Sequence, residues 1–199
     1  MRFNFSEVSS NVNEVERSFK LHCCSKLRDF VFKYEDLLGK EIWDVLDEEI
    51  QQDPGAFLSA INSYASRKGN LPIYLLIDEY DNFTNTILST YGTEYYQKAT
   101  HGEGFVRGFF NVIKAATTGT GSALQRMFIT GVSPVTMDDV TSGFNIGTNI
   151  TTDPWFNDLV GFSEAELREM LTYYKEQGVL MQTVDETCLL YTSDAADEL

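Results

Sequence analysis

Cationic side chains are scarce in this sequence: 15 lysines and arginines stand against 30 aspartates and glutamates, a formal net charge of -15 over 199 residues. The tightest basic grouping is Arg67 with Lys68, so the field around the chain repels nucleic acid and anionic membrane surfaces, and direct nucleic-acid binding is not expected. Cysteine is also sparse. Cys23, Cys24 and Cys188 are an odd number with no Cys-x-x-Cys or Cys/His ligand spacing, which supports neither a disulfide framework nor a zinc site. No apolar run approaches the ~18 residues of a membrane helix, and "MRFNFSEVSS" lacks the long apolar stretch of an export signal. These absences predict a cytoplasmic protein without a membrane partner.

What is present is an ordinary globular composition, 43% hydrophobic and 13% aromatic, enough for one core. "MRFNFS" alternates with a period of two and predicts a strand at residues 2–6. Leu27, Phe30, Val31, Tyr34 and Leu38 carry a helical period within residues 11–38, and "KEIWDVLDEEIQQ" reads as a short acidic helix. Asp53 and Pro54 form an N-cap and first-turn pair for a helix with Phe57, Leu58, Ile61, Tyr64 and Ala65 inward and Gly69 at its end. The run at 72–77 lacks polar alternation and predicts a parallel strand buried on both faces. Residues 82–102 read as a short helix and a surface loop, in which Tyr95 and Tyr96 pack or face a partner. "EGFVRGFFNVIKAA" reads as an amphipathic helix, "LQRMFITGV" as a second buried strand, and residues 145–151 as a further strand. Ser163 and Glu166 make a capping box for a helix that Gly178 stops. Strands alternating with helices predict an α/β layered fold with a mainly parallel sheet.

The chemistry concentrates in "LPIYLLIDEYDNF", where a buried strand runs into Asp78, Glu79 and Asp81. The carboxyl end of a parallel strand is where open α/β sheets bind ligands. Adjacent carboxylates there raise each other's pKa unless a divalent cation relieves them. The four apolar positions Ile73, Leu75, Leu76 and Ile77 favour a Walker B element over a strand that ends in solvated acids. Asp138 and Asp139 are weaker candidates on a loop, and His22 and His101 lack a nearby nucleophile or ligand set.

"YLLIDEYDNF", "RMFITGVSPVT" and "GFSEAEL", in this order over approximately residues 1–180, resemble the AAA-ATPase-like family of bacterial P-loop proteins, whose members often carry a C-terminal PD-(D/E)xK nuclease-like domain. The resemblance implies a P-loop NTPase-like three-layer sandwich of sheet order 5-1-4-3-2 that uses ATP and Mg²⁺. It matches Asp78 to the metal-coordinating acid, Glu79 to the catalytic glutamate and Thr130 to the sensor 1 position. Tyr80 and Asp81 complete the family's D-E-Y-D string without an assigned role.

One part of that pattern is missing. No G-x-x-x-x-G-K-[ST] string occurs in the 199 residues, and "TTGTGSAL" has no lysine after Gly121 and precedes a strand where a phosphate-binding loop would follow one. The chain is therefore expected to lack the first (Walker A) strand of the fold and to be a fragment that is inactive alone. Residues 1–160 would be a partial core carrying strands 2 to 5, residues 161–187 the start of a helical lid, and residues 188–199 ("CLLYTSDAADEL") a tail that is non-native or disordered. The whole protein would be an ATPase coupled to an effector domain or protein partner. The competing reading is a non-catalytic α/β interaction module that binds a partner through the aromatic stretch 83–96.

Overall fold

The computed structural model describes residues 1–69, 71–119, 121–132, 147–151, 153–156 and 162–179. They fall into two compact units, Met1–Gly147 and Thr148–Leu199.

In the first unit three parallel strands, β1 (Arg2–Asn4), β2 (Ile73–Asp78) and β3 (Leu124–Ile129), form one sheet in the order β1-β2-β3. This is the adjacency expected for the strands near residues 2, 72 and 125. β1 is shorter than its alternation predicts, because Phe5–Glu7 turn into a 3-10 helix whose Ser6 amide donates to the Asn4 side chain. Phe3 and Phe5 are nevertheless both fully buried.

Between β1 and β2 lie α1 (Val15–Lys33), α2 (Glu35–Leu38) and α3 (Pro54–Gly69). The buried stripe of α1 is Val15, Phe19, Cys23, Leu27 and Val31, a spacing of four that drifts slowly around a 3.6-residue helix. The acidic stretch after Gly39 forms two 3-10 turns, Lys40–Asp44 and Ile50–Gln52, in place of the expected helix; Ile42 and Leu46 still reach the core. Asp53 caps α3 as predicted, its Oδ1 accepting from the Ala56 amide at 2.7 Å.

After β2 come α4 (Asn82–Tyr91), α5 (Thr93–Thr100) and α6 (Phe105–Thr118). The expected short helix is α4, and a second helix, α5, stands where a surface loop was expected. Their polar sequence hides two buried threonines: the Thr84 hydroxyl donates to the Asp81 carbonyl at 2.9 Å and the Thr100 hydroxyl to the Tyr96 carbonyl at 2.8 Å. A threonine satisfied by its own helix can enter a core without an unpaired hydroxyl. α6 buries Val106, Phe109, Phe110 and Ile113, as its pattern predicts.

The core is an aromatic cluster centred on Phe19, whose ring lies 5.2 Å from Phe5, 5.2 Å from Phe105, 5.5 Å from Phe109 and 5.8 Å from Phe83. Full burial of each such side chain contributes roughly 1.5–3 kcal/mol, with tilted and edge-on contacts adding to it. The cluster joins α1, α4, α6 and the start of the chain, and Phe3 passes it on to the sheet through an edge contact with Phe109 at 5.6 Å.

β2 is not buried on both faces. Ile73, Leu75 and Ile77 are buried, whereas Tyr74 and Leu76 are 55% and 45% exposed and Phe128, opposite Leu76, is 43% exposed. Among the described residues, helices cover only one face of the sheet. β3 is likewise less buried than expected, with Leu124 its one buried residue.

A bulge sets which residues of β3 look which way. Ile73 pairs with Leu124 but Tyr74 pairs with Arg126, so Gln125 is an extra residue and the later pairs run Leu75 to Met127, Leu76 to Phe128 and Ile77 to Ile129. One residue of slip exchanges the two faces of a strand. The bulge therefore puts Met127 and Ile129 beside Leu75 and Ile77, and continues the register to set Thr130 beside Asp78.

In the second unit α7 (Glu164–Glu176) begins with the predicted capping box, Ser163 and Glu166 each satisfying the other's backbone amide. Leu167 and Leu171 are buried, while Met170 and Tyr174 are exposed. Residues 147–151 form no strand. The remainder of the predicted strand near 145, Asp138, Asp139 and the tail 188–199 lie outside the described residues.

Candidate functional site at the tips of the central strands

β2 and β3 end side by side, and their two tips build the site. Thr130 donates its amide to the Ile77 carbonyl at 2.8 Å, and Tyr80 donates its amide to the Thr130 carbonyl at 3.1 Å. The ladder so carries the two chains one step past the last strand residue. On the open face of the sheet the Thr130 hydroxyl donates to Asp78 Oδ1 at 2.7 Å. The Arg2 guanidinium, from the neighbouring strand, donates to Asp78 Oδ2 at 3.0 Å. Two of the expected site residues, Asp78 and Thr130, are thereby brought into direct contact.

The electrostatics of Asp78 follow from these partners. The Thr130 hydrogen bond, followed by the Arg2 guanidinium, holds its carboxyl below the ordinary carboxylate value, so Asp78 is an anion at neutral pH. Its side chain is 38% exposed and the Arg2 contact is screened by water. A carboxylate has about four lone-pair positions; Thr130, Arg2 and the Glu79 backbone amide take three, and one is left for a ligand approaching the strand tips.

The three carboxylates are reconciled by divergence. Asp78 engages β1 and β3, while Asp81 is fully buried and turns inward to accept from Val132 N and from Asn85 Nδ2. Glu79, between them, has φ +55°, the one positive value among the described non-glycine residues. A left-handed backbone at a residue with a side chain costs roughly 1–2 kcal/mol, and strain of this kind collects at functional turns. It rotates the chain sharply between the strand and α4, so that successive acids face different partners.

Among the described residues no group of three or more His, Cys, Asp or Glu side chains could hold a metal ion. Asp78, with the Thr130 hydroxyl beside it, could hold Mg²⁺ in another way, as one hard carboxylate ligand to an ion that would take its other ligands from water and phosphate. The histidines take no part. His22 packs edge-on to Phe5 and lies 3.5 Å from Glu7, and His101 pairs with the Thr100 hydroxyl. Cys23 and Cys24 are buried free thiols, and burial pushes Cys24 up to about 11.

Sequence reasoning missed Arg2, Asn85 and Gly131 as parts of the site. Arg2 carried a signal, since it sits on the outward phase of an alternating strand. Gly131 carried another: a Cβ there would meet the Tyr80 ring and the Asp81 carboxylate, and a glycine directly after a strand marks such a close approach.

Among the described residues no helix is long and apolar enough to cross a membrane. No curated protein and no solved structure matches the chain. A family model described as predicted AAA-ATPase, AAA-ATPase-like, matches residues 1–141. That span takes in all three strands and both tips, and the chain belongs to the AAA-ATPase-like family.

Proposed function

We propose that this chain carries the metal- and water-handling half of an ATP-hydrolysing site, with Asp78 as the Walker B acid, Glu79 as the catalytic glutamate and Thr130 as sensor 1. The observation that carries this reading is the 2.7 Å hydrogen bond between Thr130 and Asp78 at the carboxyl edge of two adjacent parallel strands, where α/β sheets place their ligands. Bound Mg²⁺ would neutralise charge on the phosphates. Asp78, kept ionised by Thr130 and Arg2, would hold that ion. Glu79, half-buried one residue beyond, would accept a proton from the attacking water. Thr130 would orient Asp78 through its one hydroxyl proton, or give up that bond to donate the proton to the terminal phosphate.

The fold in this reading is a P-loop three-layer sandwich. The open apolar face of Tyr74, Leu76 and Phe128 marks where a second helical layer would lie. A strand bearing G-x-x-x-x-G-K-[ST], absent from these residues, would pair with β3, which pairs only with β2 among the described residues. Residues 1–160 would then be a partial core, 161–187 the start of a lid, and the tail from 188 no part of the domain. The working protein would act in the cytoplasm through an effector domain or protein partner. Of the aromatic stretch in the interaction-module reading, Phe83 and Tyr96 are buried in helices, while Tyr91 and Tyr95 are exposed.

The test is a chain extended along its genomic sequence to include the phosphate-binding string. It should bind and hydrolyse Mg-ATP, and Glu79→Gln should lower turnover by about 10²–10⁴-fold with ATP affinity retained. Unchanged turnover in Glu79→Gln overturns the assignment, as does micromolar ATP affinity of the 199-residue chain in calorimetry.

A further inference from the structure

We propose that Asp81 is a positioning residue, whose buried carboxylate ties the exit of β3 to the first turn of α4 and so sets the Thr130 hydroxyl against Asp78. This rests on the reading that Asp78 and Thr130 act together at the strand tips.

A buried anion is costly unless its lone pairs are filled, and what fills them shows what it holds. Asp81 stands at the N-cap of α4, yet its side chain caps no amide of that helix. It accepts instead from the Val132 amide, at 3.1 Å to Oδ1 and 3.2 Å to Oδ2, and from Asn85 Nδ2 at 2.8 Å. Val132 is 84% exposed, so its own side chain does not anchor it. The carboxylate is the anchor, and charge-assisted bonds of this kind are about twice as strong as neutral ones.

The segment held is three residues long. Thr130 is fixed by its amide and carbonyl to Ile77 and Tyr80. Gly131 lies flat against the Tyr80 ring and the Asp81 carboxylate, with no room for a Cβ. Val132 is then tied by its amide. With residues on both sides of its Cα held, Thr130 presents its hydroxyl in one direction, toward Asp78 Oδ1. Without the tie at Val132, only the ladder side would remain.

The experiment is nuclear magnetic resonance on the 199-residue chain without nucleotide, reading the Thr130 side-chain rotamer from three-bond couplings and its amide exchange relative to Leu75. Asp81→Leu keeps the branched shape with bulkier methyl groups and removes the acceptor. Val132→Pro removes the donor and sets its Cδ against the Asp81 carboxylate, so it is read together with Asp81→Leu. Asp81→Asn keeps an acceptor for Val132 while an inverted Asn85 amide accepts from its NH₂, so it serves as the conservative rescue. We expect rotamer averaging at Thr130 and at least about tenfold faster relative exchange in Asp81→Leu and Val132→Pro, and wild-type behaviour within about twofold in Asp81→Asn. A single Thr130 rotamer and unchanged relative exchange in Val132→Pro overturn the proposal, even if Asp81→Leu fails to fold. No readout here involves ATP, so a failed hydrolysis assay would sink the functional reading without touching this one.

Discussion

Gly131 is the tightest point at the strand tips, where a single methyl group has nowhere to go. Gly131→Ala would drive its Cβ into the Tyr80 ring and the Asp81 carboxylate, and neither can yield cheaply, because Tyr80 and Asp81 are both buried. Overpacking of this kind costs about 1–3 kcal/mol, and urea denaturation of the variant should show a loss of that size. Gly147→Ala, which meets nothing within 4 Å, is the matched control and should melt as the parent does. The same region shows what was legible from the sequence. Asp78 and Glu79 were singled out because a run of apolar residues ending in acids has few readings. The partners of Asp81 were not, since hydrogen bonds from a backbone amide 51 residues away leave no local mark.

At the scale of elements, the bulge at Gln125 decides which face of β3 is which. Deleting Gln125 would restore even pairing and leave every other pair as it is, Tyr74 with Arg126 through Ile77 with Ile129, so Thr130 would stay beside Asp78. The deletion should therefore keep a cooperative thermal melt; loss of cooperativity would show that the extra residue itself is needed. Gln125→Ala keeps the extra residue and should change the melting temperature by no more than about 2 °C, in line with exposed substitutions within ±0.5 kcal/mol. Nothing in the sequence announced this bulge: no glycine or proline stands at 125. Caps, by contrast, are local and were read correctly at Asp53 and Ser163. The helix at 93–100 was misread as a loop because hydropathy counts a threonine as polar whether or not its hydroxyl is already satisfied within its own turn, as that of Thr100 is. The apolar run at 72–77 was misread in the opposite sense, since apolar character allows burial without enforcing it.

At the scale of the whole molecule, the titrating groups point one way. Glu7, Glu41, Asp78, Glu94 and Glu166 are held below their ordinary values, chiefly by hydrogen bonds from Lys26, the Glu41 backbone, Thr130, Lys98 and Ser163 respectively. For each, the unfolded state takes up protons first, so the stability it contributes at neutral pH is lost as pH falls through the folded value. His22 acts earlier. Burial, aided by the Lys26 charge, outweighs the pull of Glu7 and lowers it from 6.5, and its Nε2 is buried without a hydrogen-bond partner. Unfolded His22 is therefore protonated first, and stability falls as pH drops through about 6.5, ahead of any carboxylate. Thermal melts should show a lower melting temperature at pH 5.5 than at pH 7.5. His22→Asn should flatten that slope; an identical slope would assign the fall to other groups.

The positive φ of Glu79 sets two selections against each other at one position. A redesign guided by folding stability alone would write glycine there, or asparagine, and relieve the left-handed backbone at once. The same edit deletes the acid on which the proposed hydrolysis depends. Under that proposal, screening this chain for heat resistance would select against its catalytic acid, and position 79 should be held fixed before any such library is built.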